Sequence, residues 1–230
     1  ALEEGQLLLL DGGAEARSGY ATDITRTWPV GGTFTRRQKA AYDAVLEAQL
    51  TAIDLLRPGV RYKDVHLAAC SVLAQFLIDE KLIRCTPTEA VERGVHALFF
   101  PHGIGHLIGL DVHDLENFGD RAAYPAGRSR SNQFGLSYLR LDLTLEPNMA
   151  VTIEPGFYIA PAILNHKALV DPLKDLLNPE QINHWIGFGG IRIEDDVRVT
   201  NDAPEVLSGA IPKDPRTIET LVGKANQQEN

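Results

Sequence analysis

Two runs in this chain each place an acid where an apolar strand should be: Ile153-Glu154-Pro155-Gly156 and Ile191-Arg192-Ile193-Glu194. A carboxylate in such a setting is costly unless a cation or a set of hydrogen bonds answers it. Asp11 and Asp23 lie in similar surroundings, behind Leu7-Leu8-Leu9-Leu10 and inside Tyr20-Ala21-Thr22-Asp23-Ile24. His106 closes the Gly-rich run Pro101-His102-Gly103-Ile104-Gly105-His106. One such acid alone has an ordinary reading as half of an ion pair or as a strand end facing water. Five such residues together ask for a shared partner, and a metal is the obvious one.

The rest of the chain frames these residues. Leu7–Leu10 reads as a buried strand and Gly19–Trp28 as a second, with the polar stretch Glu15–Ser18 between them, which predicts a hairpin. Thr35 with Gln38 is a capping box. It opens an amphipathic helix to about Leu56, with Ala41, Val45, Leu46 and Ile53 on its apolar side, stopped by Arg57-Pro58-Gly59. Further helices are expected over Lys63–Lys81 and Thr88–Arg93. Beyond His96 the runs shorten and become strand-like: Leu107–His113, Ala150–Glu154 and Gly190–Thr200. Two long irregular stretches separate them, Leu115–Leu139 and Ala160–His184, and loops of that length usually carry function or interfaces. Helices first and strands later predict an α+β fold in a single unit, residues 1–230.

Composition removes several function classes. The formal net charge is −9 with no Lys/Arg block, which disfavours nucleic acid and anionic membranes as partners. No apolar run approaches the roughly 18 residues needed to cross a bilayer. Cys70 and Cys85 stand in no recognised ligand spacing, so a reducing, cytoplasmic setting is expected. The chain opens at Ala1, almost directly on its first strand, as a processed product or fragment would.

The histidines divide. His102 and His106 have the four-residue spacing of a zinc helix, but Pro101, Gly103 and Gly105 favour a loop entering a strand, with His113 further along it. His66, His96, His166 and His184 read as structural or surface residues.

Taken in order, Asp11-Gly12-Gly13, Asp23-Ile24-Thr25-Arg26-Thr27, Pro101–His106, Asp111-Val112-His113-Asp114, Thr152-Ile153-Glu154-Pro155-Gly156 and Gly190–Asp195 resemble the successive motifs of the pita-bread metallopeptidases. That family includes prolidase, aminopeptidase P and methionine aminopeptidase. Phe99-Phe100 before the histidine motif, Tyr138-Leu139-Arg140 and the long insert after Tyr158 look most like the Xaa-Pro dipeptidases. The resemblance implies a curved, mostly antiparallel sheet backed by helices, with the family's first strands, an upstream histidine and the N-terminal recognition domain lying outside this sequence. The precursor or another chain would supply them. It implies Asp11 on one divalent ion, His106 and Glu154 on the other, and Asp23 and Glu194 bridging. Mn²⁺ suits so oxygen-rich a set, with Co²⁺, Zn²⁺ or Fe²⁺ possible.

The implied reaction is cleavage of Xaa-Pro dipeptides by a hydroxide shared between two metals. Glu154 is expected to move the proton. His102 and His113 would hold the substrate or the tetrahedral intermediate. Arg192 would orient Glu194 or Asp23, as Thr25 would Asp23 and Thr152 would Glu154. Arg140 is either a grip on the substrate's terminal carboxylate or a surface loop charge. Aminopeptidase P activity on longer peptides, phosphotriester hydrolysis and a metal-free scaffold are the competing functions. The resemblance also implies a homodimer. The Asp11–Asp23 interval is a residue longer than is common there, and the turn at Ala16-Arg17-Ser18 should absorb it.

Overall fold

The computed structural model describes residues 1–228, with side chains described as far as Val222. Strand β1 (Leu7–Glu15) pairs antiparallel with β2 (Ala21–Pro29), in a register that sets Asp11 against Thr25 and Gly13 against Asp23. Asp11 and the position facing Asp23 are therefore two residues apart, so both acids point from the same face of the hairpin. In the connecting turn the Ala16 amide donates to the Tyr20 carbonyl at 2.8 Å. β1 corrects one expectation: it is longer than Leu7–Leu10 and largely exposed rather than buried. Among the described residues it pairs with β2 alone, in a two-stranded ribbon.

Helix α1 (Arg36–Asp54) begins as the capping box requires, with Thr35 and Gln38 exchanging side-chain and backbone hydrogen bonds. It packs on α2 (Tyr62–Asp79), which is followed by α3 (Pro87–Arg93), ended by Gly94 in the left-handed region, and a 3₁₀ turn over Val95–Leu98. Ala41, Tyr42, Val45, Val65, Ala69 and Leu73 are among the buried residues of the common core these helices build.

The strands of the second half are short. β3 (Ala150–Ile153) and β4 (Gly156–Tyr158) form one arm. β5 (Gly190–Arg192) and β6 (Asp195–Arg198) form another, and β7 (Glu205–Val206) adds to β6. β3 pairs with β6 and β4 with β5, all antiparallel. Ile153 therefore faces Asp195 and Gly156 faces Arg192, and both arms break between these pairs. Glu154 and Glu194 occupy the two breaks. They are not strand interiors, as the sequence suggested, but the residues at which each ladder lets go. The buried Gln49 of α1 answers the interruption: its amide donates to the carbonyls of Ile153 and Ile193, each at 3.2 Å.

The expected strand over Leu107–His113 does not form. Leu107 makes a single bridge to Val151, after which the chain closes on itself, with Gly109 donating to Asp111 and Asp114 to Leu107, each at 3.1 Å. The long stretches hold short helices. α4 (Asp120–Ala123) lies in the first. α5 (Pro161–Leu164), α6 (Lys167–Val170) and α7 (Pro179–Asn183) lie in the second, which ends on the buried Trp185 stacked edge-on to Phe76 and Phe157. α8 (Pro215–Gln228) follows the last strand. The α+β expectation holds.

Candidate metal centre

The hairpin and the two broken arms bring the acids together. Donor atoms of Asp11, Asp23 and Glu194 lie within 4.8 Å of one another, as do those of His106, Glu154 and Glu194. Glu194 belongs to both trios. A third trio, Asp23, His106 and His113, meets the same limit. The backbone explains the convergence. The Glu194 amide donates to the Thr25 carbonyl at 3.1 Å, stitching β2 to the break between β5 and β6. The Asp23 amide donates to the Asp196 carboxylate at 3.2 Å. His106 is brought in by a close approach of its loop to β3, where its amide donates to the Thr152 hydroxyl at 3.1 Å. Gly105 makes that possible, since a Cβ there would stand 2.2 Å from the Thr152 carbonyl oxygen and 2.4 Å from the Tyr62 hydroxyl.

The donor chemistry calls for a cation. His106 Nδ1–H donates to the Leu107 carbonyl at 2.9 Å, which turns Nε2 toward Asp23 at 3.4 Å and Glu154 at 3.6 Å. In the neutral ring that nitrogen is a bare lone pair facing two carboxylates, three acceptors with no donor among them. A metal ion resolves this, and the tethered Nδ1–H is the arrangement that orients a metal-binding imidazole. Without metal, protons must do the work. Burial, reinforced by the charge of Glu154, pushes Glu194 up to about 9. Burial also raises Glu154 and Asp11. For His106, desolvation opposes the charged form, but its hydrogen bond with Asp23 and the charge of Glu154 lift it above the usual imidazole value. Desolvation would raise Asp23 too, yet the same hydrogen bond holds it low. The five residues expected from sequence thus fit a site for divalent ions.

The surrounding side chains correct one expectation, that for Thr25, and narrow another, that for Arg192. Arg192 does not reach Asp23: it donates to Asp11 at 2.5 Å and to the Thr25 hydroxyl at 3.0 Å, with Glu194 at 3.9 Å. Thr25 in turn serves Glu194, donating at 2.5 Å, rather than Asp23. The reason is register, because Thr25 faces the break between β5 and β6, not its own strand neighbour. Thr152 does lie near Glu154, at 3.4 Å.

His102 and Arg140 line one cleft with Glu154, while His113 stands beside His106. His102 Nδ1–H donates to the Gly103 carbonyl at 2.8 Å, and Nε2 accepts from the Tyr158 hydroxyl at 2.9 Å. Burial lowers His102 to about 4, so the ring is neutral at ordinary pH. The His113 ring stands edge-on to His106 with centroids 4.5 Å apart. Arg140 donates to Glu116 at 3.0 Å. The cleft, about 360 Å³, is lined by His102, Glu116, Arg130, Tyr138, Arg140 and Arg192 among others. Tyr158, Glu116 and Arg130 were missed in the sequence. Tyr158 follows Glu154 by an even number of residues on one arm, a signal that was there to read, whereas Glu116 and Arg130 lie in irregular chain where spacing means little.

Comparison with known proteins agrees with the geometry. The sequence profile of Metallopeptidase family M24 matches residues 1–201. The chain is 37% identical over 221 residues to the Xaa-Pro dipeptidase of Homo sapiens, which covers 96% of this chain and 42% of that protein. It is 38% identical over 220 residues to Xaa-Pro aminopeptidase 2 of Streptomyces coelicolor, covering 96% of this chain and 40% of that one. Among solved structures, zinc-substituted aminopeptidase P of Escherichia coli in complex with product superposes with a TM-score of 0.74 at 35% identity, over 97% of this chain and 42% of that one. The chain therefore spans about two fifths of the length of these relatives. With that pita-bread architecture and its motifs in order, the chain belongs to metallopeptidase family M24.

Proposed function

We propose that residues 1–230 form one catalytic unit that hydrolyses the bond between a first residue and proline, with Xaa-Pro dipeptides as the preferred substrates. The observation that carries this reading is the convergence of Asp11, Asp23, His106, Glu154 and Glu194 in overlapping donor trios, with Glu154 lining a cleft whose wall also holds His102 and Arg140. Two divalent ions would be held there, Asp11 on one, His106 and Glu154 on the other, Asp23 and Glu194 shared. The oxygen-rich donors favour Mn²⁺. When bound, the ions supply Lewis acidity and make water a competent nucleophile near neutral pH.

The chain's own groups divide the remaining work. Glu154, raised by burial, takes a proton from water and delivers it to the departing proline nitrogen. An Xaa-Pro bond has no N–H to offer, so the substrate must be recognised at its ends and at the carbonyl. Arg140 takes the terminal carboxylate, displacing Glu116. His102 and Tyr158, already hydrogen-bonded to each other, turn a donor toward the carbonyl oxygen as charge develops on it, and His113 closes the opposite side.

A second reading, aminopeptidase P activity on longer peptides, is favoured by one observation: the cleft continues past Arg140 to Arg130, which also lines a neighbouring cavity of about 320 Å³. Gly-Pro and a tetrapeptide with proline second, compared on the Mn²⁺-loaded protein, test the choice. Faster turnover of Gly-Pro supports the dipeptidase, and faster turnover of the tetrapeptide replaces it with the aminopeptidase. Metal content below two ions per chain after loading would remove both readings.

A further inference from the structure

Away from the cleft, helix α2 carries His66 and Cys70 one turn apart, on the same face. Read along the sequence, Cys70 had no ligand partner; the helix supplies one and the fold a second. His96, from the 3₁₀ turn after α3, meets them, and donor atoms of all three lie within 4.8 Å of one another. The cluster is sealed, with relative exposures of 1%, 0% and 2% for His66, Cys70 and His96.

Its hydrogen bonding is incomplete in an informative way. His96 Nδ1–H donates to the Ala90 carbonyl at 2.9 Å, which fixes the tautomer and leaves Nε2 a bare acceptor. His66 Nε2 lies 3.3 Å from Cys70 Sγ, a weak donor. His66 Nδ1 is buried without any partner. Two neutral imidazoles and a thiol thus share a sealed space, and the His66 nitrogen that faces it, Nε2, meets little more than a thiol. Buried polar groups left this way ask for an unseen partner.

We propose that His66, Cys70 and His96 form a soft-metal site that takes a copper(I)-class ion, distinct from the oxygen-rich cleft. Three donors in a His₂Cys set suit copper, whereas structural zinc asks for four. Charge agrees: a monovalent ion with one thiolate is neutral, the state a core accepts, while a divalent ion would leave a buried positive charge. On binding, the Sγ–H proton of Cys70 leaves to solvent, the Cu–S bond forms, and the copper keeps its oxidation state. The ion would tie α2 to the 3₁₀ turn. It would stiffen the wall on which His102 stands, because His66 packs on Phe100 at 5.6 Å between centroids and Phe100 on His102 at 4.9 Å.

The test is anaerobic titration of the full chain with Cu⁺ buffered by bicinchoninate, with X-ray absorption on the product. The expected result is one Cu⁺ per chain in competition with the indicator, a thiolate-to-copper ultraviolet absorption, and a first shell of one sulfur and two nitrogens. Cys70→Ser abolishes uptake, whereas Cys85→Ser, at the other and partly exposed thiol, leaves it unchanged. Should Cys70→Ser fail to fold, the absorption shell of the Cys85→Ser protein decides alone, since its thiol can only be Cys70. Uptake that survives Cys70→Ser, disappears in Cys85→Ser, or shows no sulfur in the shell overturns the proposal. Selective Zn²⁺ uptake at Cys70 with no Cu⁺ displacement overturns the choice of ion.

Discussion

Glu194 controls the proton balance of the metal-free chain. Its carboxyl titrates near 9 in the folded state against about 4.3 in an unfolded chain. Below the lower value both states hold the proton; between the two values only the folded state does. Folding stability of the metal-free chain therefore falls as pH climbs from about 4.3 toward 9. Divalent ions take the place of that proton. Loading near neutral pH should release at least one proton per chain, seen as a calorimetric heat that changes with the ionisation enthalpy of the buffer. A buffer-independent heat would mean that Glu194 is already ionised. Glu154→Gln should lower turnover by about 10²- to 10⁴-fold, with KM for Gly-Pro little changed, in steady-state kinetics. The four acids and the imidazole could be read in the sequence because each breaks an apolar pattern. Glu116, Arg130 and the His66–Cys70–His96 cluster could not, since an acid in a loop, or a histidine on a helix, breaks none.

At the scale of elements, the helices were legible because caps and stop signals are local. Thr35→Ala removes half of the capping box and should cost about 1 kcal/mol in urea unfolding. The strands were less so. Leu107–His113 alternates as a strand does, but Gly109 and Asp114 close a turn, and within that run only Leu107 and Ile108 reach β3. Gly190–Thr200 read as continuous because nothing in Ile193-Glu194-Asp195 marks an interruption. The reason lies elsewhere in the chain: Asp195 is buried and takes Arg26 at 2.8 Å, Lys213 at 2.6 Å and Ser208 at 2.6 Å. Those partners come from β2 and from the segment between β7 and the last helix, so no window around the break contains them all. Desolvation would raise Asp195, but Lys213 and its companions hold it low. Removing the carboxylate leaves two cations without it in a largely buried place, and Asp195→Ala should cost about 3–5 kcal/mol, measured as a lower denaturant midpoint with unchanged slope.

For the molecule as a whole, metal content and stability are one quantity viewed twice. A ligand that binds only the folded chain adds about 2.7 kcal/mol when its free concentration is a hundred times its Kd. Mn²⁺ loading should therefore raise the melting temperature, and EDTA should lower it again. Among the described residues no helix is long and apolar enough to span a membrane. The general α+β layout was legible from end to end, since it rests on the order of helical and strand-like runs. The joining of a hairpin at one end of the sequence to two interrupted ladders at the other was not, because it depends on pairings across more than a hundred residues.

Gln49 lies behind that junction. A single amide spans the carbonyls that precede Glu154 and Glu194, and it is itself gripped by Lys213 at 2.8 Å. The spacing of the two glutamates is thus governed from the helix side, as a bracket fixes two rails. A leucine in its place would fill the volume yet leave both carbonyls free to drift, so the two glutamate carboxylates would move apart before either was itself altered.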